Sequence, residues 1–257
     1  MSAVRQTWQI TLRYLRVIMR QPAFLGITLV QPIIWLLLFG ALFKAVTKIP
    51  GFHGGSYIDF LTPGVVVMLA VSSAGWTGMG FIEDINGGVM DRVLATPVWR
   101  GALNAGSVIY AIVTIVIQTV VIVLLALALG AHFAHGVGGV LILLVVAALL
   151  GASFASLSNG IGVLARQRET LIGAVSFVLL PLTFLSSALM QQSLVPGWIR
   201  TVAKFNPVNW AVEASRSAAV DKLDWGVVGS RVGLLVALAL LCGWFATRAF
   251  GTYQRSL

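Results

Sequence analysis

"EDINGGVMDRVLATPVWR", residues Glu83 to Arg100, decides how the rest of the chain is read. It holds five charged residues, and the long stretches on either side of it hold none. A glycine-broken, charged segment between two oily ones marks where the chain leaves one apolar environment before entering it again.

That environment is lipid. The 257 residues are 58% hydrophobic and 10% charged, with a mean hydropathy of +0.95, whereas soluble domains carry about 25% charged residues. So little charge cannot cover a globular surface. The net charge of +9 then fits anionic headgroups and cytoplasmic anchoring rather than nucleic acid. The single Cys242 excludes an intrachain disulfide framework and a Cys-rich metal site, and its Leu/Ala-rich setting makes it a packing residue.

A span needs roughly 20 apolar residues to cross about 30 Å of hydrocarbon. Six stretches qualify: Ala23–Phe43, Phe60–Ile82, Leu103–Gly130, Val140–Leu164, Leu171–Met190 and Gly229–Phe250. Arg231 and Arg248 lie near the ends of the last and can snorkel. Unbroken apolar runs exclude a barrel, so the spans are helices. Residues 1–22 precede them. Arg5, Arg13, Arg16 and Arg20 are spread through this segment with no apolar run or cleavage site, so it is not a signal peptide. Arg13, Arg16 and Arg20 form one stripe beside Trp8, Leu12, Leu15 and Met19, the pattern of an amphipathic helix on the membrane surface. The expected architecture is all-α: this interfacial helix, then a six-span domain over residues 23–257.

Four Arg before the first span argue for a cytoplasmic N-terminus, and six spans return the C-terminus to the same side. Inside then are also Arg92, Arg100, Arg166, Arg168, Arg248 and Arg255. Lys44, Lys48, Arg200, Lys204, Arg216, Lys222 and Arg231 fall outside. All the Lys residues fall outside, and nothing in the physics of insertion accounts for that. The segment 191–230 is too polar to cross and too apolar for a solvated loop. It reads as two short interfacial or re-entrant helices, separated near Asn206-Pro207.

Much chemistry is absent. There is no phosphate-binding loop, zinc-protease helix or nucleophile elbow. His53, His132 and His135 read as loop histidines without the further ligands a metal site needs. No Asp, Glu, Lys or Arg sits mid-span, where a proton- or ion-coupled pump usually has one. Uphill transport would need energy from a partner.

The opening segment fits such a partner. Topology needs no acids there, yet three are present. Val89, Val93 and Leu94 offer apolar anchors, and Asp91 and Arg92 offer orienting charge. Gly87-Gly88 breaks the segment from the preceding span, and Thr96-Pro97 ends the short helix.

Two blocks carry a family resemblance. "FIEDINGGVMDRVLATPVWRGAL" resembles the cytoplasmic signature of ABC type-2 transporter permeases, among which the daunorubicin-resistance branch is the nearest and the nodulation-factor and polysaccharide exporters are more distant. "FLSSALMQQSLVPGWIRTVAKFNPVNWAVEASR" resembles the family's end of the fifth span with its outside re-entrant helices. With the six-span layout, these blocks extend the resemblance over nearly the whole chain. The resemblance implies a bacterial cell-membrane permease paired with a second permease, the same chain or a homologue, and two ABC ATP-binding subunits. The chain itself would bind no cofactor and catalyse no reaction, with ATP and Mg on the partner. It implies a coupling helix within 83–100, with Glu83, Asp84, Asp91, Arg92 and Arg100 facing the ATPase. Arg166, Arg168 and Glu169 would form a cytoplasmic gate loop. One departure stands out: Ser107 in "GALNAGSVIY" occupies a place where the family often has Arg or Lys.

For the substrate path, the residues single out Gln31, whose amide has four hydrogen-bond sites to satisfy and which precedes Pro32. The resemblance implies that spans two and five line the cavity, which adds Trp76, Phe81, Phe177 and Phe184. Gly75, Gly78 and Gly80 read as close helix packing. The expected function is export of an amphipathic drug, antibiotic or lipid-like compound. The alternatives are a polysaccharide or glycolipid exporter, a membrane-embedded transferase and a passive channel.

Overall fold

The computed structural model describes residues 2–20, 22–42, 56–95, 99–189, 196–219 and 223–254. Lys44, Lys48, His53, Thr96-Pro97, Lys222, Arg255 and the side chains of Met19, Leu94 and Arg100 lie outside the described residues.

Among the described residues the chain is helical without strands. The elements are α1 (Ala3–Arg20), α2 (Pro22–Leu42), α3 (Tyr57–Gly75), α4 (Met79–Asn86), α5 (Val89–Leu94) and α6 (Arg100–Ala128). They continue with α7 (Gly136–Ala165), α8 (Arg168–Phe184), α9 (Gly197–Ala203), α10 (Pro207–Ala219) and α11 (Trp225–Gln254). By length and composition four are able to cross a membrane: Tyr57–Asn86 taken through its internal break, Gly101–Ala128, Gly136–Ala165 and Trp225–Tyr253. The other two expected spans are shorter: α2 has an apolar run from Gly26 to Leu42, and α8 has 17 residues, about 26 Å of helix. Ile27 and Ile34 on α2 and Leu240, Leu241 and Trp244 on α11 are exposed, as suits helices solvated by lipid.

Helix α7 is the hub, packed on α3, α6, α10 and α11. Leu143, Val146, Ala147 and Leu150 of α7 are fully buried with Leu61 and Val66 of α3 and Ile115 and Ile122 of α6. Helix α3 starts at a capping box. The Ser56 hydroxyl accepts the Ile58 N–H at 3.2 Å, and Asp59 returns to the Ser56 N–H at 3.0 Å. The other Asp59 oxygen accepts the His132 N–H at 2.8 Å, tying the loop before α7 to the start of α3.

The second expected span is not one helix. It breaks at Trp76–Gly78, and the reason is a hydroxyl from α7. Ser158 Oγ accepts the Gly78 N–H at 3.0 Å and donates to the Gly75 carbonyl at 2.5 Å, entering the ladder of helical bonds. The turn tightens to three-residue spacing, with Met79 N–H on Trp76 and Gly80 N–H on Thr77.

Helix α1 docks through a face other than the apolar stripe read from the sequence. Thr11 is fully buried and donates to the Gly106 carbonyl of α6 at 3.3 Å. Ile10 joins the packing, and the Tyr14 ring sits 5.5 Å from that of Tyr110. Trp8 remains 56% exposed. Close approach of two helices selected the small residue at position 11 and the glycine opposite it.

Candidate functional site

The Glu83–Arg100 segment folds as the end of α4, a glycine joint and α5. Gly87 caps α4, and Gly88 adopts φ +64°, a left-handed conformation that glycine enters at no steric cost. Arg92 Nε donates to the Gly88 carbonyl at 3.1 Å and fixes the joint.

Each carboxylate ties this joint to a different helix. Asp84 pairs with Arg13 of α1 and accepts the Tyr14 hydroxyl at 3.2 Å. Burial, and then the Asp84 charge, push the Tyr14 phenol above its ordinary range, so it stays a neutral donor. Glu83 pairs with Arg168 at the start of α8 at 3.0 Å. Asp91 accepts the Tyr253 hydroxyl at the end of α11 at 3.2 Å, and the Arg166 guanidinium lies 4.6 Å over that same ring. Arg166 reaches it from the left-handed cap of α7, at φ 56°. Glu169 sits in the first turn of α8, exposed.

One of the three expected apolar anchors, Val93, turns toward the core. Val93 packs inward beside Met90, which is 2% exposed, in a cluster with Phe81, Leu103, Val163 and Phe250. It is spent within the chain and is not a free docking knob. Asp91 and Arg92 of α5 and Ala95 at its C-cap are exposed.

Above the break, α2 and α3 enclose a groove of about 180 Å³. Thr28, Gln31, Pro32 and Trp35 line one wall, and Met68, Leu69, Ser72, Ser73 and Trp76 line the other. The Thr28 hydroxyl is held by Gln118 of α6 at 2.9 Å. The lining is apolar and aromatic with hydroxyls and one amide, without a charged group. It suits a neutral amphiphile more than an ion.

Of the expected path residues, the structure brings Gln31 and Trp76 together in this groove. Phe81 is elsewhere: 1% exposed, its ring edge-on to Phe250 at 5.0 Å, it is core. A break three residues before it turned it from the groove wall into the packing of α4. Phe177 and Phe184 are 81% and 63% exposed on α8 and do not line the groove.

Two polar clusters join helices that no local sequence pattern pairs. Between α6 and α7, Asn159 Nδ2 donates to Asn104 Oδ1 at 2.9 Å, and Asn104 and Ser107 bond to Ser156 and Asn159. Ser107 is 1% exposed, which gives its departure from the family pattern a physical reason: a longer charged side chain has no room there. At the opposite end, Glu213 pairs with Arg231 at 2.8 Å, so Arg231 turns to a partner rather than snorkelling. The signal available was the rarity of Asn within apolar runs, but the Asn and Ser partners sit 52 to 55 residues apart.

Residues 5–220 match the sequence profile of the ABC-2 type transporter family. The chain is 33% identical over 190 residues to the daunorubicin resistance ABC transporter permease protein DrrB1 of Streptomyces coeruleorubidus, covering 72% of this chain and 65% of that one. It is 27% identical to the putative transport permease ycf38 of Pyropia yezoensis, over 96% of this chain and 89% of the relative. It is 26% identical to the inner membrane transport permease YadH of Escherichia coli K12, over 87% and 89%.

Proposed function

The chain belongs to the ABC-2 type transporter family and is a membrane transport permease subunit, and on that premise we propose that it is the transmembrane half of an ATP-driven exporter. It works with a second permease, identical or homologous, and with two ABC ATP-binding subunits that hold ATP and Mg. It crosses the bacterial cell membrane six times with both termini cytoplasmic. The 191–230 region lies on the outer side. The cargo is an amphipathic drug, antibiotic or lipid-like compound.

The observation that carries this reading is the triple tie of the α4–α5 joint. Its carboxylates reach α1, α8 and α11 through Arg13, Arg168 and Tyr253. A push on the exposed side of α5 is thereby delivered to three helices at once, and α4 continues into the groove-lining α3. The Glu83–Arg168 pair is exposed on both sides, and exposed ion pairs are worth only about 0.2–1 kcal/mol, so that tie steers motion without freezing it. Arg168 bonds to Glu83 and Arg166 lies over the Tyr253 ring that bonds to Asp91, which supports a gate role for the loop they share with Glu169. Arg92→Glu reverses an exposed charge. We expect it to weaken co-purification of the ATP-binding subunit and to lower ATP-driven export while membrane insertion persists. Unchanged export, or a native complex without any ATPase, would count against the reading.

A further inference from the structure

A hydroxyl in a membrane span commonly bonds to its own helix. Thr62, Thr114, Ser153 and Thr247 do so, each donating to the carbonyl four residues back at 2.7, 3.0, 2.9 and 2.8 Å. The groove between α2 and α3 departs from that pattern. Gln31, Ser72 and Ser73 line it, and among the described residues none of their side chains makes a hydrogen bond. Gln31 and Ser72 are exposed and Ser73 is half-buried. Thr28, beside them, is held from α6 by Gln118 Nε2 at 2.9 Å. Gln118 is fully buried, and its Oε1 meets no partner among the described residues. Unmet amides and hydroxyls at span depth are costly, because lipid tails offer neither donor nor acceptor. Their convergence on one groove marks it as a place that receives a polar group from outside the chain.

The form of the groove sets the kind of guest. Helices α2 and α3 run antiparallel, with Gly40 against Ile58. Counted from that contact at about 1.5 Å per residue, Thr28, Gln31, Ser72 and Ser73 fall within about 9 Å along the helices, between Trp35 toward one end and Trp76 at the other. This stretch carries one amide and three hydroxyls, which both donate and accept. The two indoles add flat apolar faces, each with an N–H edge. The volume of about 180 Å³ is below the roughly 300–1,000 Å³ of a site that encloses a whole ligand, so the groove takes a head group and leaves a tail outside. Exposed Ile27 and Ile34 flank Gln31 one helical turn away on either side, an apolar track for that tail.

We propose that the groove binds the neutral, polyhydroxylated head group, a sugar or polyol ring, of an amphiphile whose tail lies along Ile27 and Ile34. This rests on the transporter reading above and narrows its cargo. A quaternary ammonium head brings no donor for Gln31 Oε1, and an anionic head meets no Lys or Arg among the described lining residues. Gln31, Ser72 and Ser73 are the contact residues. Gln118 is a positioning residue, which holds the Thr28 hydroxyl in place.

The test is equilibrium binding to the full chain with its co-purifying partners in phosphatidylcholine nanodiscs, with uptake by empty nanodiscs subtracted. The probes are radiolabelled dodecyl glucoside and dodecyltrimethylammonium, which share a tail and differ in the head. The parent should hold the glucoside about tenfold more tightly, the worth of one or two hydrogen bonds. Gln31→Leu removes a polar side chain from a span, which does not hinder insertion, and it should erase that advantage. Ser72→Ala with Ser73→Ala, a second and smaller change, should weaken glucoside binding by a similar factor, about tenfold. Ammonium binding should stay the same in all three proteins. Equal affinity of the parent for the two probes, or glucoside binding unmoved in both variants, would overturn the proposal. The measurement uses no nucleotide, so its failure strikes the head-group proposal alone; a native complex without an ATP-binding subunit would strike the transporter reading instead.

Discussion

Gly78→Ala is the sharpest test of the break that redirects the second span. An added Cβ would sit 2.7 Å from the Ser158 carbonyl carbon and 2.8 Å from its Oγ, closer still to the carbonyl oxygen, whereas real Cβ contacts essentially stop at 3.0 Å. The obstacle is backbone on the central helix, and Gly162 faces the Gly78 carbonyl just as tightly, with a Cβ at 2.6 Å. Neither wall is a flexible side-chain tip that can swing aside, so α7 and α4 must part. Parting also stretches the two hydrogen bonds through Ser158. Overpacking costs typically 1–3 kcal/mol, and the strained bonds place this site at the upper end, about 3 kcal/mol. For a chain of this size that corresponds to a fall of roughly 6–12 °C in Tm. The control is Gly80→Ala, two residues on, whose Cβ would meet only Tyr14 Cε1 at 3.5 Å, an ordinary contact. It should shift Tm little. The assay is thermal unfolding in one detergent, read by tryptophan fluorescence, for both variants beside the parent. Equal Tm values for the two variants would refute the reasoning that α4 is seated by backbone contact.

Phe81→Ala should destabilise by about 3–5 kcal/mol, as emptying a core aromatic site does, while Trp76→Ala should leave unfolding near that of the parent and lower export. The reverse pattern would restore Phe81 to the path. Asn159→Leu strands the Asn104 carbonyl oxygen and the Ser107 hydroxyl, at about 1–3 kcal/mol for each unmet group. The double variant Asn104→Leu with Asn159→Leu should cost less than the two singles together, and strict additivity in denaturant midpoints would argue against the cluster. Burial, and then the Asp84 charge, hold the Tyr14 phenol above the ordinary tyrosine value of 10.0. Its contribution is therefore whole below pH 10 and drains away as pH climbs beyond it. Protease cleavage within α1 should rise above pH 10 in the parent, and Tyr14→Phe should lose that pH dependence.

The sequence by itself determined the class. Apolar runs of span length admit only helices in lipid, and the Gly87-Gly88 joint, the α9–α10 division near Asn206-Pro207 and the boundaries of α6, α7 and α11 follow from local chemistry within a few residues. Those features are set by neighbours along the chain: a turn needs its glycine, and a helix needs its hydrophobic length. What only the tertiary structure decided was partnership. No local pattern says that the Ser158 hydroxyl enters the bonds of a helix 80 residues earlier, or that this turns Phe81 into core. Nothing near Glu83, Asp84 or Asp91 names Arg168, Arg13 or Tyr253. The apolar stripe of Trp8, Leu12, Leu15 and Met19 on α1 pointed to the membrane surface and named no face that packs on the protein, whereas Thr11 packs on Gly106 of α6. In a membrane chain nearly every face is apolar, so hydrophobicity places the helices in the bilayer but does not rank their faces. Small residues and scarce polar side chains do that ranking, and their meaning appears only when the helices stand side by side.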